Sequence, residues 1–236
     1  MTEPSPTLAL VGAGEFLASM LPVDRELLAR SGGNRVVVLP TASAPDGAGI
    51  PQRWATMGED HFRALGARVD VVLALTRRDC ELDTVAERIA AADLVYFSGG
   101  KPDYLYSALQ GTPAWASVLT VLERGGVVAG CSAGAMILGA YLPVLRLRPH
   151  LGGGLFWSPA FGLVPDTVII PHFNEIPRTV RRAWIALRPR HTRVAGIDRG
   201  TALVGRPGSW EVRGEGVVTV IDAGGERAYH AGEPVP

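Results

Sequence analysis

Short, near-continuous apolar runs alternate with helix-patterned stretches through the first two thirds of this chain. The runs are Leu8–Gly12, Arg35–Pro40, Arg68–Leu73, Leu94–Phe97, Val127–Gly130 and Thr167–Ile170. Helical patterns lie between them at Asp24–Arg30, Gln52–Leu65, Leu82–Ala91, Tyr104–Leu109, Ala114–Arg124 and Ala133–Gly139. A strand with one face in water alternates apolar and polar residues, whereas unbroken Val and Leu mark a strand covered on both faces. Parallel strands of that kind need crossover helices, which the intervening patterns supply. The expected fold class is therefore α/β, a mostly parallel sheet flanked by helices on both faces in three layers. The last third changes character. After a helix near Arg178–Leu187 come short strands at Arg193–Ile197, Ala202–Val204, Trp210–Arg213 and Val217–Ile221, read as antiparallel strands extending the sheet. Pro143–Pro165, with Gly152-Gly153-Gly154, reads as one long irregular loop. With no linker or repeat in 236 residues, residues 1–236 are expected to form a single α/β domain.

In an open α/β sheet, ligands bind outside the carboxyl ends of the strands. Gly12-Ala13-Gly14-Glu15 follows the first strand and Thr41-Ala42-Ser43 the second. Ser98-Gly99-Gly100 follows the fourth, Ser132 the fifth, and Pro171-His172-Phe173 the sixth. These groups should share one edge of the sheet.

Gly130-Cys131-Ser132-Ala133-Gly134-Ala135 joins an apolar strand to a helix, with Ser132 at the apex and glycine two residues away on either side. A nucleophile elbow needs that arrangement, because its backbone is strained and its flanks must be small. The helix that follows aims free N–H groups and a positive dipole end at the same place. A hydroxyl becomes a useful nucleophile when an imidazole takes its proton, and His172, at a strand end, is the candidate base. A lone histidine there is as readily a hydrogen-bonded structural residue; the elbow on the same edge favours the catalytic reading. The Gly99-Gly100 pair lets backbone approach a ligand, so the N–H groups of Gly100 and Ala133 are the candidate oxyanion hole. Cys131 is the alternative nucleophile, although a free cysteine at a strand end is usually a small buried apolar residue.

Other classes are excluded. Gly12-Ala13-Gly14-Glu15-Phe16-Leu17 lacks the third glycine of a dinucleotide fingerprint, and no acid closes the second strand. Lys plus Arg equals Asp plus Glu at 23 each, so no basic face is implied and nucleic acid is not an expected partner. No apolar stretch suits a membrane span, and Met1-Thr-Glu-Pro-Ser-Pro has no signal-peptide character. With two cysteines, Cys80 and Cys131, neither a disulfide framework nor a metal site is expected, and the location expected is cytoplasmic. No cofactor is implied.

Taken together, Phe97-Ser98-Gly99-Gly100, Gly130–Ala135 and Ile170-Pro171-His172-Phe173 resemble peptidase family S51, the dipeptidase E and cyanophycinase family. Gly196-Ile197-Asp198 through Thr201–Val204, and Gly214–Val220, extend the likeness over nearly the whole chain. The resemblance implies a class I glutamine amidotransferase-like, flavodoxin-like fold. It also implies a serine-type exopeptidase or amidase working through an acyl-enzyme, with Ser132 as nucleophile and His172 as base. The bond would be peptide or isopeptide, with aspartyl and β-aspartyl groups in view, and the partner a small peptide or amide substrate. The oligomeric state stays open, with a homodimer as one option. The family places its third triad acid between serine and histidine, yet Ala133–Pro165 contains no Asp or Glu. Asp166 begins the sixth strand, at the far edge. Glu175 is therefore the candidate third member, with Glu15 or a backbone carbonyl as alternatives. Glu15 also borders the expected site as a substrate-binding residue. Among Arg146, Arg148, Arg178, Arg181 and Arg182, Arg178 is the preferred partner for a substrate carboxylate. A catalytically impaired binding protein that has lost the triad acid, and a Cys131-dependent amidase, are the alternatives.

Overall fold

The computed structural model describes residues 6–148 and 152–236; the side chains of residues 145–148 and 152–156 lie outside that description. The first half runs β1 (Thr7–Val11), α1 (Leu21–Arg30), β2 (Arg35–Leu39), α2 (Ile50–Ala64), β3 (Arg68–Val71), α3 (Arg77–Cys80), α4 (Asp83–Ala90), β4 (Leu94–Phe97), α5 (Pro102–Leu109) and α6 (Pro113–Glu123). The second half runs β5 (Val127–Cys131), α7 (Ala133–Met136), β6 (Tyr141–Arg148), β7 (Gly152–Pro159), β8 (Thr167–Ile170), α8 (Arg178–Ala186), β9 (Arg193–Ile197), β10 (Thr201–Arg206), β11 (Ser209–Gly214), β12 (Val218–Asp222), β13 (Gly225–Tyr229) and β14 (Pro234–Val235). Local chemistry sets the boundaries. Pro102 and Pro113 open α5 and α6, where a missing N–H costs nothing. The Thr112 hydroxyl caps α6 by accepting the Trp115 N–H.

The main sheet has eight strands in the order β14-β11-β10-β1-β5-β4-β2-β3. Its centre, β1, β5, β4, β2 and β3, is parallel, as the apolar runs required. Alternate residues along each strand face opposite layers. Leu10, Leu39, Phe97 and Val128 pack with Ile89 of α4, Leu105 of α5 and Val118 of α6. Ala9, Val38, Tyr96 and Ala129 pack with Leu27 of α1 and Phe62 of α2. No helix among the described residues is long and apolar enough to cross a membrane.

Two expectations need correction. Thr167–Ile170 is not the sixth strand of this sheet. It lies inside a second, six-stranded sheet ordered β13-β12-β9-β8-β6-β7, because β10 already occupies the free edge of β1 in antiparallel register. The C-terminal strands accordingly divide: β10, β11 and β14 extend the main sheet, while β9, β12 and β13 build the second. Pro143–Pro165 is not one irregular loop either. It contributes the β6–β7 hairpin, with Tyr141 opposite Pro159 and Arg148 opposite Gly152. The Leu145-Arg146-Leu147-Arg148 alternation is the period-two signal of that hairpin.

The two sheets meet at the end of β1. A side chain on Gly12 would put its Cβ 2.1 Å from the Asp198 carbonyl oxygen and 2.5 Å from that of Ile197. Gly12 also donates its N–H to the Thr201 carbonyl at 2.9 Å. Only a residue without Cβ permits this contact. We expect Gly12→Ala to destabilise the fold by about 2–3 kcal/mol or more, because backbone carbonyls cannot rotate away as a side chain would. Gly32→Ala, at a positive φ with open space around it, should cost only about 1 kcal/mol. Urea unfolding of the two variants beside wild type measures the difference; equal losses would remove Gly12 as the joint between the sheets.

Candidate active site

Val11, the last residue of β1, and Gly12 just after it hold the backbones of both site residues. The Val11 carbonyl accepts the Ser132 N–H at 3.0 Å, and the neighbouring Gly12 carbonyl accepts the His172 N–H at 3.3 Å. Ser132, from the main sheet, and His172, from the second sheet, are thus tethered to adjacent peptide units. Ser132 caps α7 with φ 51° and ψ −110°, and His172 has φ 53°, two positive values that non-glycine residues rarely adopt. The elbow tolerates its bend because Gly130 lies against Gly134, whose carbonyl carbon and oxygen would be 2.3 Å from any Cβ added at Gly130.

The side chains form a continuous chain of contacts. His172 Nε2 is 3.0 Å from Ser132 Oγ, and His172 Nδ1 is 2.7 Å from Glu175 Oε2. An ionised carboxylate only accepts, so Nδ1 carries the proton and Nε2 presents its lone pair to the serine hydroxyl. The His172 carbonyl accepts the N–H groups of Glu175 at 2.8 Å and Ile176 at 3.0 Å, so one tight turn carries imidazole and carboxylate together. Arg199 Nη1 lies 3.4 Å from Glu175 Oε1. The hydrogen bond from His172, followed by the nearby positive charge, holds the Glu175 carboxyl below the usual carboxylate range. Arg199 and Glu175 are both largely exposed, so this ion pair adds orientation rather than much stability.

Glu15 sits elsewhere. It is buried, accepting the Gly99 N–H at 2.9 Å through Oε1 and the Cys131 thiol at 2.9 Å through Oε2. The described residues show no hydrogen bond between Glu15 and His172; its carboxylate ties the glycine turn after β4 to the strand bearing the elbow. Lys101 N–H, bonded to the Ala42 carbonyl at 2.8 Å, pins the other end of that turn. Neither Gly100 nor Ala133 gives its N–H to a protein acceptor among the described residues. Cys131 is fully buried, and burial, then the Glu15 carboxylate, push its thiol well above the ordinary value. Beneath lies a second buried pair, Asp24 and His61 at 2.8 Å, covered by Phe16. Burial raises the Asp24 carboxyl, an effect His61 opposes.

A cleft of about 550 Å³ opens beside Ser132 and His172. Ile176 on the turn and Trp184 on α8 line it; the sequence reading missed both, although Ile176 stands four residues after His172 and Trp184 lies in the second turn of an amphipathic helix. Arg178 is exposed at the start of α8 and is not among the described residues lining the cleft. Arg181 is spent on Phe173, bonding its carbonyl at 3.2 Å and stacking over its ring. The side chains of Arg146 and Arg148 lie outside the described residues. Asp166 is far from the site, lining a separate hollow with Arg188 and Asp222. Among the described residues no group of three or more His, Cys, Asp or Glu could hold a metal ion.

The chain matches the model of peptidase family S51 over residues 8–212. It belongs to that family. It is 31% identical over 207 residues to the cyanophycinase of Synechococcus elongatus, a match covering 82% of this chain and 61% of that protein. The chain therefore spans less than two thirds of the length of that relative. An uncharacterized peptidase of Listeria innocua is 25% identical over 208 residues, 87% of this chain and 93% of that one. The crystal structure of a peptidase from an acI-B1 Actinobacterium superposes with a TM-score of 0.87 at 32% identity, covering 99% of this chain and 97% of that chain. In this S51 family member both thiols are buried and held protonated, Cys80 being pushed up to about 11. A raised thiol pKa means the folded protein keeps the proton where an unfolded thiol would lose it. Iodoacetamide at about pH 8 should therefore leave Cys80 and Cys131 unmodified in the native protein and alkylate both in urea. Native-state alkylation of Cys131 detected by mass spectrometry would contradict this environment.

Proposed function

We propose that this S51 family member is a serine-type peptidase or amidase acting through a covalent acyl-enzyme. The observation that carries the reading is the unbroken contact series Ser132 Oγ, His172 Nε2, His172 Nδ1, Glu175 carboxylate, at 3.0 and 2.7 Å. His172 takes the proton from the Ser132 hydroxyl as Oγ attacks the substrate carbonyl carbon. Glu175 holds the imidazole in the tautomer that leaves Nε2 free and stabilises the imidazolium that forms. The N–H groups of Gly100 and Ala133 receive the developing oxyanion; their lack of protein acceptors among the described residues supports that assignment. His172 then returns the proton to the leaving nitrogen, the amine departs, and water repeats the sequence on the acyl-enzyme.

The family likeness supports a small peptide, amide or isopeptide as substrate, with release of terminal residues as the mode of action. The alternatives fare less well. The catalytically impaired binding module was argued from a missing triad acid, and the 2.7 Å contact between Glu175 and His172 Nδ1 supports Glu175 in that role. A Cys131 amidase needs an accessible thiolate, whereas the Cys131 sulfur is buried and donates to Glu15.

A fluorophosphonate probe should label wild type at Ser132 and leave Ser132→Ala unlabelled, and His172→Ala should lower the labelling rate by about 10³-fold or more. Absence of wild-type labelling would falsify the nucleophile assignment. Glu175→Gln should reduce kcat/KM by about 10²-fold, less than loss of a fully buried triad acid. Because the Glu175 carboxyl is held low, it is ionised at neutral pH, so the Gln deficit should be complete there. The deficit should shrink only as pH falls through the depressed Glu175 value, where wild type protonates as well. A pH profile of kcat/KM for both proteins reads this directly.

A further inference from the structure

The cleft beside Ser132 is apolar where an acid-specific site would be cationic. Apart from Ser132 and His172, its lining among the described residues is Pro102, Met136, Pro143, Pro171, Ile176 and Trp184. None of these carries charge, and among the described residues the cations on neighbouring elements have partners of their own: Arg181 the Phe173 carbonyl and ring, Arg199 Glu175, and Lys101 Asp46. The volume of about 550 Å³ falls in the range of clefts that enclose a small ligand. A carboxylate brought into this space would shed water with no cation among the described lining residues to replace it, whereas a phenyl or branched aliphatic group would exchange water for the Trp184 ring and the Ile176 and Met136 side chains. The walls are also stiff. Three prolines have fixed φ, and Trp184 packs on the buried cluster of Ile170 and Phe173 beneath α8.

We propose that this cleft is a specificity pocket for an uncharged apolar or aromatic side chain on the residue next to the scissile bond. Trp184 and Ile176 are its specificity-determining residues. The inference rests on the hydrolase reading and narrows it: the preferred substrate is a short peptide with a residue such as Phe or Leu at that position, not an aspartyl or β-aspartyl one. Ile176 lies on the same turn as His172 and Glu175, so the side chain that fills the cleft contacts the segment carrying the base.

Four dipeptides test this: Phe-Ala, Ala-Phe, Asp-Ala and Ala-Asp. Two readouts are taken for each, kcat/KM for hydrolysis and the protection it gives Ser132 against phenylmethylsulfonyl fluoride, followed by mass spectrometry. At the position that faces the cleft, Phe should exceed Asp at least about tenfold in turnover or, for an uncut peptide, in protection. Trp184→Ala should reduce that ratio at least about fivefold, mainly through KM. The inference is overturned if both Asp peptides equal or exceed their Phe counterparts, or if Trp184→Ala folds and leaves the ratio unchanged. Should that variant not fold, the wild-type ratio decides alone. Failure of the sulfonyl fluoride to modify wild-type Ser132 counts instead against the hydrolase reading. Modification of Ser132 together with an Asp preference removes only the apolar pocket.

Discussion

Two adjacent carbonyls at the end of β1 determine where everything else in the site can be. Val11 holds the backbone of Ser132 and Gly12 that of His172, while the missing side chain of Gly12 lets the carbonyls of Ile197 and Asp198 close in from the second sheet. The proposed nucleophile and base belong to different sheets. No local rule of helix or strand brings them together; a shared peptide segment does. Once the segment is in place, 3.0 Å between Oγ and Nε2 follows from fixed backbone on both sides rather than from a flexible side-chain search.

Strain is concentrated at the same two residues. Ser132 and His172 both have positive φ, at a cost on the order of 1–3 kcal/mol each, and both are held there by tertiary hydrogen bonds and close packing. The Glu15 carboxylate contributes from behind. By accepting from Gly99 and from Cys131 it joins the glycine turn to the elbow strand through one buried group. In front, the carboxylate hydrogen-bonded to the imidazole comes from the same turn, three residues on. A turn that closes on the His172 carbonyl is enough to place it, although Ala133–Pro165 holds no acid and Asp166 lies away just before β8. The consequence is an exposed carboxylate, kept in position by Arg199 and by the turn rather than by burial.

Much of this was legible beforehand, for specific physical reasons. Unbroken Val and Leu runs required a doubly covered parallel sheet. The glycine flanks of Ser132 required a sharp strand-to-helix bend, and position at a strand end placed Pro171-His172 on the ligand edge. Other features were not legible. The partition of β8 and β9 into a second sheet depended on β10 pairing with the edge of β1, a contact between residues nearly two hundred apart in the chain. The surroundings of Glu15 and Arg178 were not legible because sequence proximity to a motif says nothing of burial: Glu15 is turned inward to two donors, and Arg178 is exposed.

The amino-acid sequence by itself determined the α/β class, the elbow around Ser132, the imidazole at a strand terminus and membership of the S51 pattern, because each depends on local periodicity or on residue types within a few positions. Only the tertiary structure decided which carboxylate meets His172, which charges are buried, and that the cleft is lined by Trp184, Ile176 and prolines. Those outcomes depend on how separate elements are packed through space, and hydrogen bonding, desolvation and pocket chemistry act over ångströms of distance rather than positions along a chain.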